Sequence, residues 1–505
     1  MGEVVDVAVV GGGLAGLTVA GLLAGSGHRV TVLEAAGELG GRGRSTEHDG
    51  YRMNLGPRAL YRGPLRAALR RLGVPAPGAP PPLGQAMALF GGVPYRGFIT
   101  VPGLLTTGFL SLRERSAMAR LFAVVRRNPR LAGMTAAEWL AGVLPTERAR
   151  LAAASLVRIA AYLDSPERAS ADMVAEHLAT ARFGVRYVHG GWQTLVDGLA
   201  TVAVRRGVQI TTGARVTGVY GDASPYTVAT ADGRQLVARA VVVAGLPPAR
   251  ALDLAERPEL AAGLGPSLHA ACLDVALRRL PDPRRPFLYG VDRPVYLVVH
   301  SARARFGAGA GAVIHLLRYG GAAPPATARP ATAGPAPAAG GPAGGSSGPA
   351  SPSSAPVSGA PVARSGPAAE APAVRSGPAA GVSAVRSGPA AGVSAVQSGP
   401  AETRAEMEGL LDAHQPGWRA ELLHARFLPR ITVTNAVPVP GRGLNGRPGV
   451  SVPGRPGVFL AGDWVGPEGF LVEAVGASAQ QAATAVHRFL AAAGGRAATT
   501  AQHLG

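Results

Sequence analysis

A glycine-rich turn between an apolar strand and a helix, close to the N-terminus, most constrains the fold of this 505-residue chain. Residues Val4 to Val10 are mostly apolar and β-branched, which predicts a strand buried on both faces of a parallel sheet. Gly11, Gly13 and Gly16 follow at G-x-G-x-x-G spacing, and a helix is predicted to begin at Leu14. This spacing permits a tight turn, close approach of the backbone to a pyrophosphate and close packing of the helix on the sheet. The N-terminus therefore predicts a Rossmann-like α/β domain that binds a dinucleotide.

The predicted second strand, Val30 to Leu33, is followed by Glu34, 18 residues after Gly16. An acid at about this offset accepts hydrogen bonds from ribose hydroxyls and disfavours a 2′-phosphate. The helix N-terminus would bind the two phosphates through its unpaired N–H groups and the positive end of its dipole. The residues predicted to contact the cofactor here are Gly11, Gly12, Gly13, Leu14, Ala15, Gly16, Glu34 and Ala35.

An export signal or a membrane helix is the alternative interpretation of this apolar N-terminus. Glu3 and Asp6 stand where a signal peptide carries positive charge, and glycines interrupt the apolar run. We therefore expect a cytoplasmic protein. The single cysteine, Cys272, excludes intramolecular disulfides and does not by itself fix the compartment.

The segment Leu33 to Arg42 ends in Gly40-Gly41-Arg42 and resembles the second signature of a superfamily of FAD oxidoreductases. This superfamily comprises the flavin amine oxidases, the phytoene desaturases and the protoporphyrinogen oxidase-like proteins. The resemblance implies that Gly41 lies close to FAD and that Arg42 lies beside its phosphates. An ordinary surface turn with a solvated Arg42 is the alternative.

A second part of the resemblance lies near the C-terminus, where the predicted strand Val458 to Ala461 leads into Gly462 and Asp463. In the superfamily the aspartate of this motif binds the ribityl chain, and the next helix points its N-terminus at the flavin pyrimidine. The resemblance therefore assigns Gly462, Asp463, Glu473, Ala474 and Val475 to the cofactor site. Helix N–H groups at that place stabilise negative charge on a reduced flavin.

Two further segments carry the resemblance into the middle of the chain. Asn54 to Arg58 resembles the segment that passes the flavin ring, with Gly56 and Pro57 as its neighbours, and Val216 matches a residue that contacts adenine through its backbone. The catalytic candidates are Arg58 and Tyr61, on the substrate side, and His189, as an acid–base group. Their alternatives are an anion partner, a packed aromatic ring and a structural histidine, respectively. No metal site is predicted.

The resemblance implies an α/β fold in which a Rossmann-like FAD-binding domain is interleaved with an α+β substrate-binding domain. The predicted order is FAD-binding domain (1–80), substrate domain (81–186), FAD-binding domain (187–250), substrate domain (251–319), insertion (320–403), substrate domain (404–444), FAD-binding domain (445–492) and flexible tail (493–505). The insertion is rich in Ala, Pro, Gly and Ser, and its repeats from Val374, Val385 and Val396 offer almost no large apolar side chain to bury. We therefore predict that it is disordered.

The net charge of +19 derives from arginine alone, because the chain contains no lysine. A basic chain can bind nucleic acid, but this one has no long arginine run, zinc-ligand spacing or aromatic RNA-binding motif, so we expect no nucleic-acid partner. The segment Met87 to Phe109 is apolar and contains Phe90 and Phe98. Two interpretations of it stay open: an apolar entrance that contacts a membrane peripherally or admits a long hydrocarbon, and a buried edge of the substrate domain.

The chemistry implied by the resemblance is transfer of a hydride from a C–H bond to noncovalently bound FAD. Several flavin amine oxidases place a lysine near flavin N5, and this chain has none, which favours a phytoene desaturase-like dehydrogenase acting on an apolar, isoprenoid-like small molecule. Oxidation of an amine or of a porphyrinogen is the alternative, and a redox-neutral isomerase or binding scaffold is a second one. Oxygen, a quinone or another acceptor would reoxidise the flavin.

Overall fold

A computed structural model of the protein describes residues 4–126, 128–307, 311–320 and 399–503. The strands are β1 (Val5–Val10), β2 (Val30–Leu33), β3 (Ser45–His48), β4 (Tyr51–Asn54), β5 (Leu60–Tyr61), β6 (Gly78–Ala79), β7 (Ala86–Phe90), β8 (Val93–Arg96), β9 (Val185–Val188), β10 (Gln209–Thr211), β11 (Val216–Tyr220), β12 (Tyr226–Thr230), β13 (Gln235–Ala244), β14 (Leu268–Leu277), β15 (Phe287–Gly290), β16 (Val295–Val299), β17 (Ala312–Tyr319), β18 (Leu422–Thr434) and β19 (Val458–Ala461). The α-helices are α1 (Leu14–Ala24), α2 (Pro64–Leu72), α3 (Val101–Thr106), α4 (Leu112–Val124), α5 (Ala136–Val143), α6 (Glu147–Ala161), α7 (Ala171–Ala181), α8 (Gln193–Arg205), α9 (Pro248–Leu254), α10 (Pro400–His414) and α11 (Val472–His503).

The first sheet has the strand order β10-β2-β1-β13-β12-β11, and β19 pairs with the second half of β13. Strands β10, β2, β1, β13 and β19 are parallel, whereas β12 is antiparallel to both of its neighbours, β11 and β13. The parallel strands read as continuous apolar runs because helices cover the sheet, and α1 packs against both α8 and α11. The predicted Rossmann-like α/β domain is confirmed.

The second sheet has the order β18-β14-β17-β16-β15-β7-β8. Successive side chains of β14 point to opposite faces, so Cys272 belongs to the core beneath α4, α6 and α7, whereas Leu273 packs with Met407 and Leu411 of α10. The chain passes from the first sheet to the second after β2, returns for β10 to β13, forms β14 to β18 in the second and ends with β19 in the first. The two sheets are therefore interleaved along the chain.

Two predicted boundaries differ from the structure. Most of the predicted insertion, residues 321–398, lies outside the described residues, but its last residues, Pro400 to Thr403, form the first turn of α10. Proline suits the first position of a helix, and Glu402 accepts a hydrogen bond from the Gly399 N–H at 3.2 Å. The predicted flexible tail is also partly helical, because α11 continues to His503. Within the described ranges, no helix combines the length and apolar character that crossing a bilayer requires.

Candidate active site

A cavity of about 730 Å³ lies at the carboxyl ends of β1 and β2, beside the N-terminus of α1. Gly11, Gly13, Leu14 and Ala15 line it. Gly13 is the N-cap residue of α1 and has no side chain to cap the helix, so the first N–H groups of α1 are left for a ligand. This is the arrangement that binds a pyrophosphate.

Each glycine of the turn is required for a different reason. Gly11 has a φ of 109°, and a Cβ atom there would lie 2.3 Å from the Ala244 carbonyl oxygen. A Cβ atom at Gly16, which does not line the cavity, would lie 1.9 Å from the Gly11 carbonyl oxygen, so this glycine allows α1 to approach β1. At Gly13 the nearest protein atom would be 3.7 Å away. The requirement for glycine at position 13 therefore comes from the ligand space and not from the protein.

Glu34 lines the cavity together with Ala35, and the backbone holds its carboxylate in place. The Gly12 N–H donates to Glu34 Oε2 at 2.7 Å, and the Ala36 N–H donates to Oε1 at 2.8 Å. Gly12 itself does not line the cavity. Its role in the structure is to orient the acid that is predicted to bind the ribose.

Arg42 and Asp463, 421 positions apart in the sequence, form a two-point ion pair in the cavity wall. Arg42 Nη1 and Nη2 lie 2.9 and 2.8 Å from Asp463 Oδ2 and Oδ1. Asp463 also accepts hydrogen bonds from the Thr434 hydroxyl and from the backbone and side-chain N–H groups of Asn435, each at 2.9 Å. Burial alone would raise the pKa of Asp463, but Arg42 and Asn435 outweigh burial and hold that pKa well below its usual range. Asp463 is therefore a fixed carboxylate.

The start of α11 differs from the prediction. Val475 lines the cavity, as does Val472, but Glu473 and Ala474 do not. The Glu473 N–H donates to the Phe470 carbonyl, and Glu473 Oε2 accepts from the Leu65 N–H of α2 at 3.2 Å. Glu473 thus joins α11 to α2 and does not present its N–H to the cavity. Burial raises the pKa of Glu473 to about 7.

The remaining predicted cofactor residues fall in two groups. Gly41 and Val216 line the cavity, whereas Gly56, Pro57 and Gly462 do not. Gly56 has a φ of 78°, and a Cβ atom there would lie 2.7 Å from Cys272 Sγ, so packing against the second sheet requires this glycine. The Gly462 N–H donates to the Ser478 hydroxyl at 2.9 Å and so ties β19 to α11.

A smaller recess of about 60 Å³ adjoins the cavity and shares part of its wall. The shared residues are Leu55, Arg58, Trp192, Ile431, Val433, Leu471 and Val472. The recess is otherwise lined by Pro57, Ala59, Tyr61, Tyr162 and Leu317. A bound dinucleotide would therefore have an apolar and aromatic pocket beside it.

Arg58 lies at the border between the cavity and the recess. Its guanidinium lies 5.6 Å from the Trp192 ring centroid, and its Nη2 lies 3.4 Å from the Leu55 carbonyl oxygen. Among the described residues, no carboxylate lies within ion-pair distance of Arg58. Burial lowers the pKa of Arg58, but an arginine keeps its charge at neutral pH.

The two tyrosines of the recess use their hydroxyls to anchor the wall. Tyr61 donates to the Ala160 carbonyl and Tyr162 donates to the Pro57 carbonyl, each at 2.8 Å. Burial raises the pKa of both hydroxyls. Tyr61 therefore lines the recess, and its hydroxyl is engaged by the protein.

The structure does not bring His189 to the site. His189 lines neither the cavity nor the recess, and its Nδ1 accepts a hydrogen bond from the Arg305 N–H at 3.2 Å. Burial and the neighbouring Arg305 lower its pKa. The only cysteine, Cys272, is buried behind Gly56, and burial raises the pKa of its thiol well above the usual value. It lines neither space, which agrees with a cofactor held without a covalent bond.

Sequence reasoning missed several wall residues that lie far from any motif. Asn435 directly follows β18, and Tyr162 directly follows α6 and has a φ of 55°. Trp192 directly follows Gly190 and Gly191, and this glycine pair was the available signal for it. Other wall residues without a predicted role include Leu33, Gly43, Ala214, Arg215, Leu246, Pro247, Arg250 and Thr432.

A family model described as flavin-containing amine oxidoreductase matches residues 14–271, about half of the chain. An L-amino-acid oxidase from Pseudechis australis is 54% identical over 56 residues, which are 11% of this chain and 11% of that protein. The chain therefore matches only about a tenth of the length of this curated relative.

Two solved structures have a similar fold over nearly the whole chain. An oxidoreductase from Methanosarcina mazei superimposes with a TM-score of 0.64 and 17% identity, covering 94% of this chain and 99% of the other. Cyclohexylamine oxidase from Brevibacterium oxydans IH-35A superimposes with a TM-score of 0.60 and 16% identity, covering 97% and 100%. At these identities the likeness concerns the fold alone.

Proposed function

The chain belongs to the flavin-containing amine oxidoreductases, and from that premise we propose that it removes a hydride from a C–H bond of an apolar substrate. The observation that carries the proposal is the apolar and aromatic recess that shares seven wall residues with the cofactor cavity. At about 60 Å³ the recess would receive only the reacting part of a substrate, which would then contact the part of the cofactor at the shared wall.

FAD fits the residues of the cavity. The open N-terminus of α1 would bind its phosphates, Glu34 its ribose, and the Arg42–Asp463 pair the region between the phosphates and the flavin. When bound, FAD supplies the acceptor for a hydride. The protein's own contribution is to hold the reacting carbon against the wall that the recess shares with the cavity.

The described lining of the recess contains no side chain suited to take a proton at neutral pH. Its titratable groups are Arg58, Tyr61 and Tyr162, and both tyrosine hydroxyls already donate to carbonyl groups. A desaturation removes one hydrogen as hydride and a second as a proton from the neighbouring carbon. In our proposal that proton goes to water, and an isoprenoid-like hydrocarbon is the favoured substrate.

Oxidation of an amine that also carries an acid is the second candidate, because Arg58 offers an unpaired positive charge at the border of the recess. A substrate carboxylate would supply the missing counter-charge. The sequence match to an L-amino-acid oxidase agrees with this candidate but covers only 56 residues.

An anaerobic reduction experiment tests both candidates. The FAD-loaded protein is mixed with polyenes in detergent, with amines and with amino acids, and the flavin absorbance near about 450 nm is followed. Bleaching by a polyene supports the first candidate, and bleaching by an amino acid that is lost in Arg58→Met supports the second. Product formation without bleaching would instead show a redox-neutral reaction. A protein that is not bleached by any of these and forms no product would contradict the proposal.

A further inference from the structure

Three large aliphatic side chains are exposed together where α3 ends and α4 begins. Val101, Leu105 and Leu112 have exposed fractions of 72%, 61% and 80%. Val101 and Leu105 lie one turn apart on α3, and Leu112 is the first residue of α4. Arg115 donates from Nη1 to the Leu105 carbonyl at 2.6 Å and from Nε to the Leu110 carbonyl at 2.9 Å, so it ties the two helices together. We call Val101, Leu105 and Leu112 the α3–α4 tip.

The tip is not simply a loosely packed part of the core. Leu104 and Leu110, which alternate with the tip residues along the chain, are buried, and Phe109 is buried between them. Two of the three phenylalanines that the sequence offered as an entrance, Phe98 and Phe109, are therefore core residues. α3 and the start of α4 bury one face fully and present a second, apolar face to solvent. Single exposed aliphatics are common, but a group of them usually marks a binding surface.

The sequence around the tip carries an excess of positive charge. Between Ala86 and Arg126 the chain has five arginines and one acidic residue, Glu114. Glu114 is buried, caps α4 through Ser111 and accepts a hydrogen bond from the Thr146 hydroxyl. Among the described residues, exposed Arg96 and Arg113 form no ion pair. The tip therefore combines aliphatic side chains with unpaired cations, as surfaces that bind anionic lipid do.

The tip also belongs to the part of the protein that forms the recess. α4 packs against α6, and Tyr162, which follows the last residue of α6, lines the recess. The buried faces of α3 and α4 share one core with α6 and with Leu317 of β17, another lining residue. A surface that binds the tip would therefore hold the part of the protein that forms the recess.

We propose that the α3–α4 tip docks this protein on the surface of an anionic lipid bilayer. The tip residues enter the boundary between headgroups and acyl chains, and Arg96 and Arg113 contact the lipid phosphates. This inference rests on the proposed function in one respect: an apolar substrate dissolved in the bilayer would be taken up beside the docked surface. A second copy of the chain is the competing occupant, and the experiment separates the two.

Vesicle co-sedimentation of the full-length, FAD-loaded protein tests the proposal. One set of vesicles contains phosphatidylcholine and phosphatidylglycerol, and the other contains phosphatidylcholine alone. We expect binding to the anionic vesicles that weakens as salt is added, and weaker binding to the neutral ones. The double variant Leu105→Asp, Leu112→Asp should bind at least about tenfold more weakly. The double variant Arg96→Gln, Arg113→Gln should lose about fivefold per arginine on anionic vesicles.

Val204→Asp is the matched control, because Val204 on α8 is 58% exposed and lies away from the tip in the sequence. This variant should bind vesicles as the unchanged protein does, and bound FAD per chain should be equal in all variants. No binding to either set of vesicles, or equal loss in Val204→Asp, would overturn the proposal. A self-association measured by sedimentation velocity that disappears in the leucine variant, without vesicle binding, would assign the tip to a second copy instead.

Failure of the docking proposal and failure of the proposed function remain distinguishable. Vesicle binding is measured without substrate, whereas flavin bleaching is measured with substrate in detergent and without vesicles. A protein that is bleached by a polyene but binds no vesicle overturns only the docking surface. A protein that binds anionic vesicles through the tip but is not bleached overturns only the proposed substrate.

Discussion

Arg42 and Arg58, two of the four arginines that line the cofactor cavity, have different partners in the protein. Arg42 forms two hydrogen bonds with Asp463, whose remaining acceptor sites are filled by Thr434 and Asn435. Arg58, at the border of the recess, has an aromatic neighbour and one long contact to a carbonyl. The wall that faces the cofactor is therefore internally satisfied, while the wall that faces the recess keeps a charge without a counter-ion.

The same difference appears behind the two walls. On the cofactor side, Glu34 receives one N–H on each carboxylate oxygen. Next to the recess, buried Glu473 receives one N–H on Oε2, and its Oε1 has no partner among the described residues. Unpaired polar groups cost stability, so a fold keeps them where another requirement outweighs that cost. We infer that the cofactor wall is stabilised by contacts within the protein, whereas the recess wall is adapted to bind a ligand.

The largest expected effects distinguish a glycine of the turn that protein packing requires from one that the bound ligand requires. Gly16→Val places side-chain atoms against the Gly11 carbonyl, where even a Cβ atom has only 1.9 Å, so we expect the variant not to fold. Gly13→Val has room within the protein but occupies the cavity, so we expect a folded chain without FAD. Circular dichroism and bound flavin per chain measure the two outcomes. A Gly13→Val protein that carries a full complement of FAD would refute the assignment of this cavity to the cofactor.

The next effect compares the two arginines directly. Arg42→Leu leaves the buried Asp463 without its cation and should lower the free energy of unfolding at neutral pH by about 3 kcal/mol. Arg58→Leu removes a charge that has no carboxylate partner and should change the free energy of unfolding by less than about 1 kcal/mol. Urea unfolding of FAD-free protein measures both values. Equal losses in the two variants would remove the distinction between a satisfied and an unsatisfied wall.

The pH dependence of that experiment has a defined sign. The pKa of Asp463 in the folded protein lies well below its usual range, so its contribution to stability is complete above about pH 4 and falls as the pH drops through the folded value. The difference between Arg42→Leu and the unchanged protein should therefore shrink in acid. A difference that grows below about pH 4 would contradict the ion pair as its cause.

A smaller effect concerns Glu473. Its pKa in the folded protein is about 7, above the value for an exposed glutamate, so ionisation of this side chain costs stability as the pH rises from about 4 to 7. Glu473→Gln keeps an acceptor for the Leu65 N–H and removes that cost. We expect the variant to be more stable by about 1–3 kcal/mol at pH 8 and nearly unchanged at pH 4.

The free energy of unfolding of Glu473→Gln is measured at several pH values. Glu38→Gln is the matched control because the Glu38 side chain is exposed. The control should differ from the unchanged protein by less than about 0.5 kcal/mol at every pH. If Glu473→Gln changed the free energy of unfolding by the same amount at every pH, burial of the Glu473 charge would not be the cause of the change.

The sequence predicts the residues of the cofactor wall better than those of the recess wall. The glycine turn, Glu34, Gly41-Arg42 and Asp463 could be predicted because short motifs place backbone and side chain together, and the interleaved fold followed from their order. The pairing of Arg42 with Asp463 could not, because it joins segments 421 positions apart. Tyr162, Leu317 and Asn435 reach the site from α6, β17 and the end of β18, through packing that no local pattern encodes. Glu473 shows the converse: a motif placed its position at the cofactor, while its side chain contacts α2.

The smallest expected effect is that of replacing His189, a residue outside the recess wall. His189 lies outside both the cavity and the recess, and its Nδ1 is occupied by the Arg305 N–H, so His189→Ala should retain FAD and change the rate of flavin reduction by less than about twofold. Tyr61→Phe, which removes one hydrogen bond inside the recess wall, should cost about 1 kcal/mol of stability and alter that rate more. Stopped-flow reduction of both variants with one substrate ranks them. If His189→Ala slowed reduction more than Tyr61→Phe, the chemistry would extend beyond the recess, and the boundary between the two walls would have to be moved toward β9.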